Sequence, residues 1–210
     1  MAFSSAAQFE TLDLGRADYA EVTERMLQWV DARAAQAGEP DRLLLAEFEP
    51  VITVGRGASV SAYRHLEIPV YEVSRGGKAT YHGPGQVVAY PLVQLQGKAR
   101  DLHAYLHALE QALIETVRRF GLAGERDPRN TGCWVSGRKI ASLGVAVRRW
   151  VTYHGVALNV STDLSWFQRF DPCGLNPDWM TSMAEELAHP PALEEVKAEL
   201  AARLEHILRA

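Results

Sequence analysis

Residues 138–160 contain two β-rich runs, 138–147 and 151–160, joined by the short polar step Arg148-Arg149-Trp150. Two such runs across so brief a turn predict an antiparallel hairpin. A turn centred between Arg149 and Trp150 puts Gly144 opposite Gly155 and Ser142 opposite Ala157. Opposed small residues leave a slot on one sheet face, wide enough for an extended hydrocarbon tail. The competing reading of such glycines is a pair of bulges. Alternation sends Arg138 and Ile140 to one face and Lys139 to the other, where a strand lysine is by default a solvated group.

The rest of the chain must build a sheet around that hairpin. A helix is predicted over 18–37, where Asp18 and Glu21 form a capping-box pattern and Tyr19, Val22, Met26, Trp29 and Val30 recur at helical spacing. Gly38 and Pro40 stop it. Strands are predicted over 42–48, 51–54, 69–73, 87–95 and 132–136, and further helices over 101–120, 179–188 and 192–208. Several consecutive strands have no helix between them, so the fold class is α/β of the α+β kind: a mixed sheet with flanking helices. No repeat or convincing linker divides the chain, so one domain over 1–210 is expected.

Composition narrows the function. The 210 residues are 47% hydrophobic and 23% charged, as in a globular chain, and no apolar run reaches the roughly 18 residues of a membrane span. The N-terminus lacks the basic and apolar blocks of an export signal. A net charge of −4 and a pI near 6.0 argue against nucleic acid as partner. Two cysteines, Cys133 and Cys173, cannot make a disulfide framework and are read as free thiols in a reducing, cytoplasmic compartment. Of 22 basic residues only Lys78, Lys98, Lys139 and Lys197 are lysines, the basic type that titrates readily when its surroundings change.

Two further stretches carry chemistry. Arg75-Gly-Gly-Lys-Ala-Thr-Tyr-His-Gly-Pro-Gly-Gln86 is a glycine-rich loop whose backbone can approach a ligand closely. It lacks GxxxxGK[ST] and the third glycine of a dinucleotide fingerprint. A rigid connection is the plain alternative, but Arg75, Tyr81 and His82 add recognition groups that a simple turn does not need. Phe170-Asp-Pro-Cys-Gly174 fixes the backbone on both sides of a thiol. A free cysteine is more often a small buried hydrophobe than a nucleophile. Cys133, between Gly132 and Trp134, fits that buried role better, which leaves Cys173 as the candidate nucleophile. His103 and His107 stand four apart on a helix, but HExxH is absent and no third ligand is evident, so no metal is expected.

RGGKATYHGPGQ, GRKIASLG, YHGVALN and DPCGL, in this order and spacing, closely resemble the lipoyl(octanoyl) transferase family, from about residue 10 to residue 187. The resemblance implies transfer of an octanoyl group from octanoyl-acyl carrier protein to a lysine of lipoyl domains, the first step of protein lipoylation. It implies that Cys173 is the acyl-thioester nucleophile and Lys139 the lysine that activates it. The substrate-binding stretches it implies are Arg75, Gly76, Gly77, Lys78, Ala79, Thr80, Tyr81 and His82, then Ser142, Leu143 and Gly144, then Gly155, Val156 and Ala157. It further implies a fold like that of lipoate and biotin protein ligases, no cofactor, and a monomer. The acceptors it implies are the lipoyl domains of 2-oxoacid dehydrogenase and glycine cleavage complexes. Cys133 departs from the more usual apolar residue before Trp134. The alternatives are an ATP-dependent lipoate-type ligase and a non-catalytic acyl-binding module.

The chemistry sets a structural demand. A thiol of pKa about 8.5 is a few per cent thiolate at pH 7, and lowering its pKa by about two units requires roughly 2.7 kcal/mol. An ammonium about 4 Å away supplies about 1 kcal/mol in water but about 4 at an effective dielectric near 20. Lys139 can therefore activate Cys173 only where water is largely excluded. An acidic carrier protein would meet a basic rim, for which Arg56, Arg64, Arg138, Arg148 and Arg149 are candidates.

Overall fold

The hairpin forms as expected in the computed structural model, which describes residues 2–4, 6, 8–36, 38–172 and 174–209. Its strands are β8 (Arg138–Arg148) and β9 (Val151–Asn159), with Gly144 paired to Gly155 and Ser142 to Ala157. Arg149 and Trp150 have φ of 50° and 65°, the left-handed pair that a two-residue turn of type I′ needs. β7 (Gly132–Val135) precedes β8 across a second such turn, Ser136-Gly137, with φ of 51° and 75°.

Four strands precede the glycine-rich loop. They are β1 (Phe9–Ala17), β2 (Asp41–Phe48), β3 (Val51–Val54) and β4 (Val70–Glu72); β5 (Ala79–His82) and β6 (Gln86–Leu92) follow. A six-stranded sheet has the order β1-β2-β6-β9-β8-β7, with β1 parallel to β2 and every other neighbour antiparallel. A three-stranded sheet has the order β4-β3-β5. This is the mixed sheet expected, with two features the sequence pattern did not announce. β1 is an edge strand with half-exposed side chains and a register shift between Asp13 and Arg16, so its alternation is broken. β5 emerges inside the glycine-rich stretch, which is loop to Lys78 and a turn again at 83–85.

Helix α1 (Tyr19–Ala35) is capped by Asp18, whose carboxylate accepts from the backbone N–H of Ala20 and Glu21. It packs its Tyr19, Val22, Met26 and Val30 stripe on one face of the large sheet. Helix α2 (Leu102–Arg119) is capped by Asp101 and covers the other face, with α4 (Leu193–Arg209) beside it. The helix expected over 179–188 is instead a 3₁₀ turn at Pro177–Trp179 and the four-residue α3 (Met183–Glu186). Pairing with β8 takes the place of helix between the two: Thr181 N–H donates to Lys139 O (3.0 Å) beside a bridge between Lys139 and Met180. Among the described residues no helix is long and apolar enough to cross a membrane.

Candidate active site

β7 begins at Gly132, opposite Ser142, so among the described residues no strand pairs with the outer side of β8 beyond Ser142. The glycine-rich loop covers that edge, with Gly76 N–H donating to Val145 O (3.2 Å). Between loop and hairpin lies a cavity of about 290 Å³. Its walls bring together Arg75, Gly76, Gly77, Lys78, Thr80 and His82 from the loop and β5, Ser142, Leu143 and Gly144 from β8, and Gly155, Val156 and Ala157 from β9. Lys139 lines the same cavity and is 2% exposed, so the solvated-surface reading of that lysine fails. Ala79 and Tyr81 do not line it. They point to the opposite side of β5, where Tyr81 stacks on Trp166 at 5.5 Å and meets Phe167 edge-on. Cys173 lies outside the described residues.

The two glycines of the hairpin differ in role. A Cβ on Gly144 would stand 3.0 Å from Arg75 Cδ, at the cavity wall. One on Gly155 would stand 2.3 Å from Ala89 O, so this glycine serves the close approach of β6. Beside it His154 has φ of 56°, a left-handed residue inside a strand. The register of β8 with β9 runs unbroken through the pair, so the bulge reading fails for both glycines: Gly144 opens the slot and Gly155 admits β6.

A chain of polar groups crosses both sheets beneath the cavity. Arg75 Nη2 donates to Thr53 O and Thr53 Oγ1 (both 2.8 Å), while Nη1 donates to Gly76 O and Lys78 O, so this guanidinium folds the loop around itself. Gln86 Nε2 donates to Tyr81 O and Asn159 Oδ1, which leaves Gln86 Oε1 to accept from His82 Nδ1–H at 2.7 Å. His82 Nε2 is then the acceptor facing Thr53 Oγ1 at 3.5 Å. Asn159 Nδ2 donates to Thr181 O (3.0 Å), and Thr181 N–H returns to Lys139 O. Burial, with the Arg75 charge adding to it, pushes His82 down to about 4 against the opposing bond from Gln86. Burial and the same charge push His154 down to about 3. Both imidazoles are neutral at pH 7.

The remaining lining comes from residues the sequence pattern did not single out as functional: Tyr19, Tyr90, Leu106, Asn130, Thr131, Val145 and His154. Tyr19 reads as one more apolar position of a helix stripe, and Asn130 as one more turn former in Asp127-Pro-Arg-Asn-Thr131. Nothing local marks either. Cys133 is fully buried, and burial pushes its thiol up to about 12, which suits the inert role expected of it. Of the five candidate rim arginines, Arg138 is paired with Glu186 (2.9 Å) and Arg148 with Asp31 (3.1 Å), while Arg56, Arg64 and Arg149 are exposed.

Comparison with known proteins agrees with this geometry. The lipoyl protein ligase A/B catalytic domain matches residues 18–205. An octanoyltransferase of Geobacter metallireducens is 42% identical over 196 residues, covering 93% of this chain and 92% of that one. An octanoyltransferase of Gloeobacter violaceus is 47% identical over 169 residues, covering 78% and 75%. Among solved structures, lipoate-protein ligase A bound with ATP superposes with a TM-score of 0.74 at 15% identity, covering 97% of this chain and 85% of that one. The Aquifex aeolicus biotin protein ligase in complex with biotin and ATP reaches 0.57 at 12% identity, covering 95% and 70%. These two likenesses bear out the fold expected from the sequence. Family match and relatives together place the chain: it belongs to the lipoyl protein ligase A/B catalytic-domain family, alongside its octanoyltransferases.

Proposed function

We propose that this protein is an octanoyltransferase of protein lipoylation, working as one catalytic unit over 1–210. The donor is octanoyl-acyl carrier protein and the acceptor a lysine of lipoyl domains, those of 2-oxoacid dehydrogenase and glycine cleavage complexes. The observation that carries the reading is a buried lysine, Lys139, in one cavity with the glycine-rich loop and the small-residue hairpin. The water exclusion that thiol activation demands is met on the lysine's side.

The Cys173 thiolate attacks the thioester carbonyl; a new C–S bond forms and the carrier's thiolate leaves with a proton from Lys139. The acceptor amine then attacks the acyl-enzyme. A C–N bond forms, the Cys173 C–S bond breaks, and neutral Lys139 takes the amine's proton. Val145 O faces the loop, so alternation turns the Leu143 N–H to the same open edge and the Gly144 N–H toward β9. The Gly174 N–H is engaged by Asp171 Oδ1. Leu143 is therefore the backbone donor assigned to the oxyanion. The six methylenes of an octanoyl chain, if buried, would contribute up to about 5 kcal/mol to acyl binding at roughly 0.8 each. The protein acts as a monomer in the cytoplasm.

Intact mass after mixing with octanoyl-acyl carrier protein, without ATP, tests the reading. The expected result is a gain of one octanoyl group that Cys173→Ala abolishes and that a lipoyl domain discharges. Acylation only with ATP would instead assign a ligase, and octanoyl binding without a covalent adduct an acyl-binding module.

A further inference from the structure

Lys139 does not stand on its strand alone. Its Nζ donates to Asn130 Oδ1, from the loop that enters β7. That loop is held at several points that do not involve the Asn130 side chain. Trp134 Nε1 donates to Asn130 O (3.0 Å), and the Glu125 and Trp134 backbones exchange two bonds of 2.9 Å. Arg129 grips Asp127 through two bonds (2.8 and 2.6 Å) and lies between two rings, 4.4 Å from Trp134 and 4.6 Å from Trp179. On the far side Glu110 of α2 accepts from Gly132 N–H at 3.0 Å. Removing the Asn130 carboxamide leaves all of these in place. What it removes is the contact to the amine.

Taking the Cys173–Lys139 assignment above as its basis, we propose that Asn130 is a positioning residue. Its carboxamide oxygen fixes the Lys139 amine in the cavity as a neutral acceptor, so that the lysine can both give and take a proton. A carboxylate in that place would hold the ammonium just as firmly but would favour the charged form in both half-reactions. It would also set a negative charge beside a thiol that must ionise. A carboxamide orients without adding charge.

The other titratable groups around Lys139 leave that distinction intact. Arg75, Lys78, His82, His154, Tyr19 and Tyr90 share the cavity. Arg75 is spent on Thr53 and two loop carbonyls, and both histidines are neutral at pH 7. Lys78 reaches Asp171 at 3.6 Å, Glu110 holds Arg126 at 3.2 Å, and Arg129 is turned to Asp127. On the segment that follows β9, Glu186 holds Arg138. Cys173 completes the set by the assignment above.

Because the chain has only four lysines, the amine can be watched directly by NMR of protein labelled at lysine Cε, with Lys139→Arg supplying the assignment. Asn130→Asp is expected to move the Lys139 titration midpoint up by about one pH unit or more, and to move the pH profile of Cys173 alkylation up with it. Asn130→Ala is expected to slow single-turnover acyl transfer about tenfold with melting temperature and donor affinity kept, a rate effect that loop packing alone would not produce. Unmoved titration and alkylation in Asn130→Asp, or wild-type turnover in Asn130→Ala, would overturn the proposal. Cys173→Ala and Lys139→Ala run beside them: if those two are inactive while the Asn130 variants match wild type, the positioning role alone is wrong. If Cys173→Ala still transfers, the dyad itself falls, and this inference with it.

Discussion

His154 concentrates several demands in one side chain. It is 3% exposed, left-handed at φ 56°, and lines the cavity with Tyr90 packed edge-on at 5.6 Å. Its imidazole and that of His82 are held below the usual value near 6.5, at about 3 and about 4. Between those values and about 6.5 the unfolded chain binds more protons than the folded one, so stability falls as pH falls through that window, by about 1.4 kcal/mol per pH unit for each histidine. Above it neither group contributes to the slope. His154→Asn, whose side chain tolerates positive φ, is expected to flatten the fall in melting temperature between pH 6.5 and 4. An unchanged slope would mean this imidazole is not the group that titrates. Such a residue could not be found from its neighbours in sequence, because burial and the Arg75 charge reach it only through the fold. Lys139 is the same kind of case: a strand lysine by pattern, a buried one by tertiary placement.

At the scale of elements the hairpin was the legible part. Period-two alternation and a two-residue turn fix register by themselves, and the Gly144–Gly155 and Ser142–Ala157 pairs followed. β1 and β5 were not legible, since one is a kinked edge and the other is embedded among glycines. The two glycines should part under substitution. Gly155→Ala sets a methyl 2.3 Å from a backbone oxygen and is expected to cost about 1–3 kcal/mol in denaturant unfolding. Gly144→Ala meets Arg75 Cδ at 3.0 Å and Gly76 O at 3.4 Å, milder contacts than those at Gly155, so it is expected to cost less stability than Gly155→Ala. Its effect belongs to the slot: acylation by carrier-bound donors of graded length should shift toward shorter chains. An unshifted preference would place the acyl tail elsewhere.

The whole molecule is tied together by pairs no local pattern announces. Asp41, fully buried, accepts from Arg33 Nε at 2.7 Å, Ser4 Oγ at 2.7 Å and Gln94 N–H at 3.0 Å, joining α1, β2, the N-terminal segment and the exit of β6. Asp41→Ala strands the buried Arg33 charge and is expected to cost about 3–5 kcal/mol, on the order of 10 °C in melting temperature. A much smaller loss by calorimetry would show that water reaches the guanidinium. Fold class was legible because strands without intervening helices leave few layer arrangements. How the small sheet closes over the large one was not, because it depends on the Arg75-to-Thr181 series of bonds across four strands. That series behaves as a keel: neither sheet can slide without loosening the seat of the amine. Paired substitutions within it, Thr53→Val and Asn159→Ala, should therefore cost less together than the sum of their separate costs.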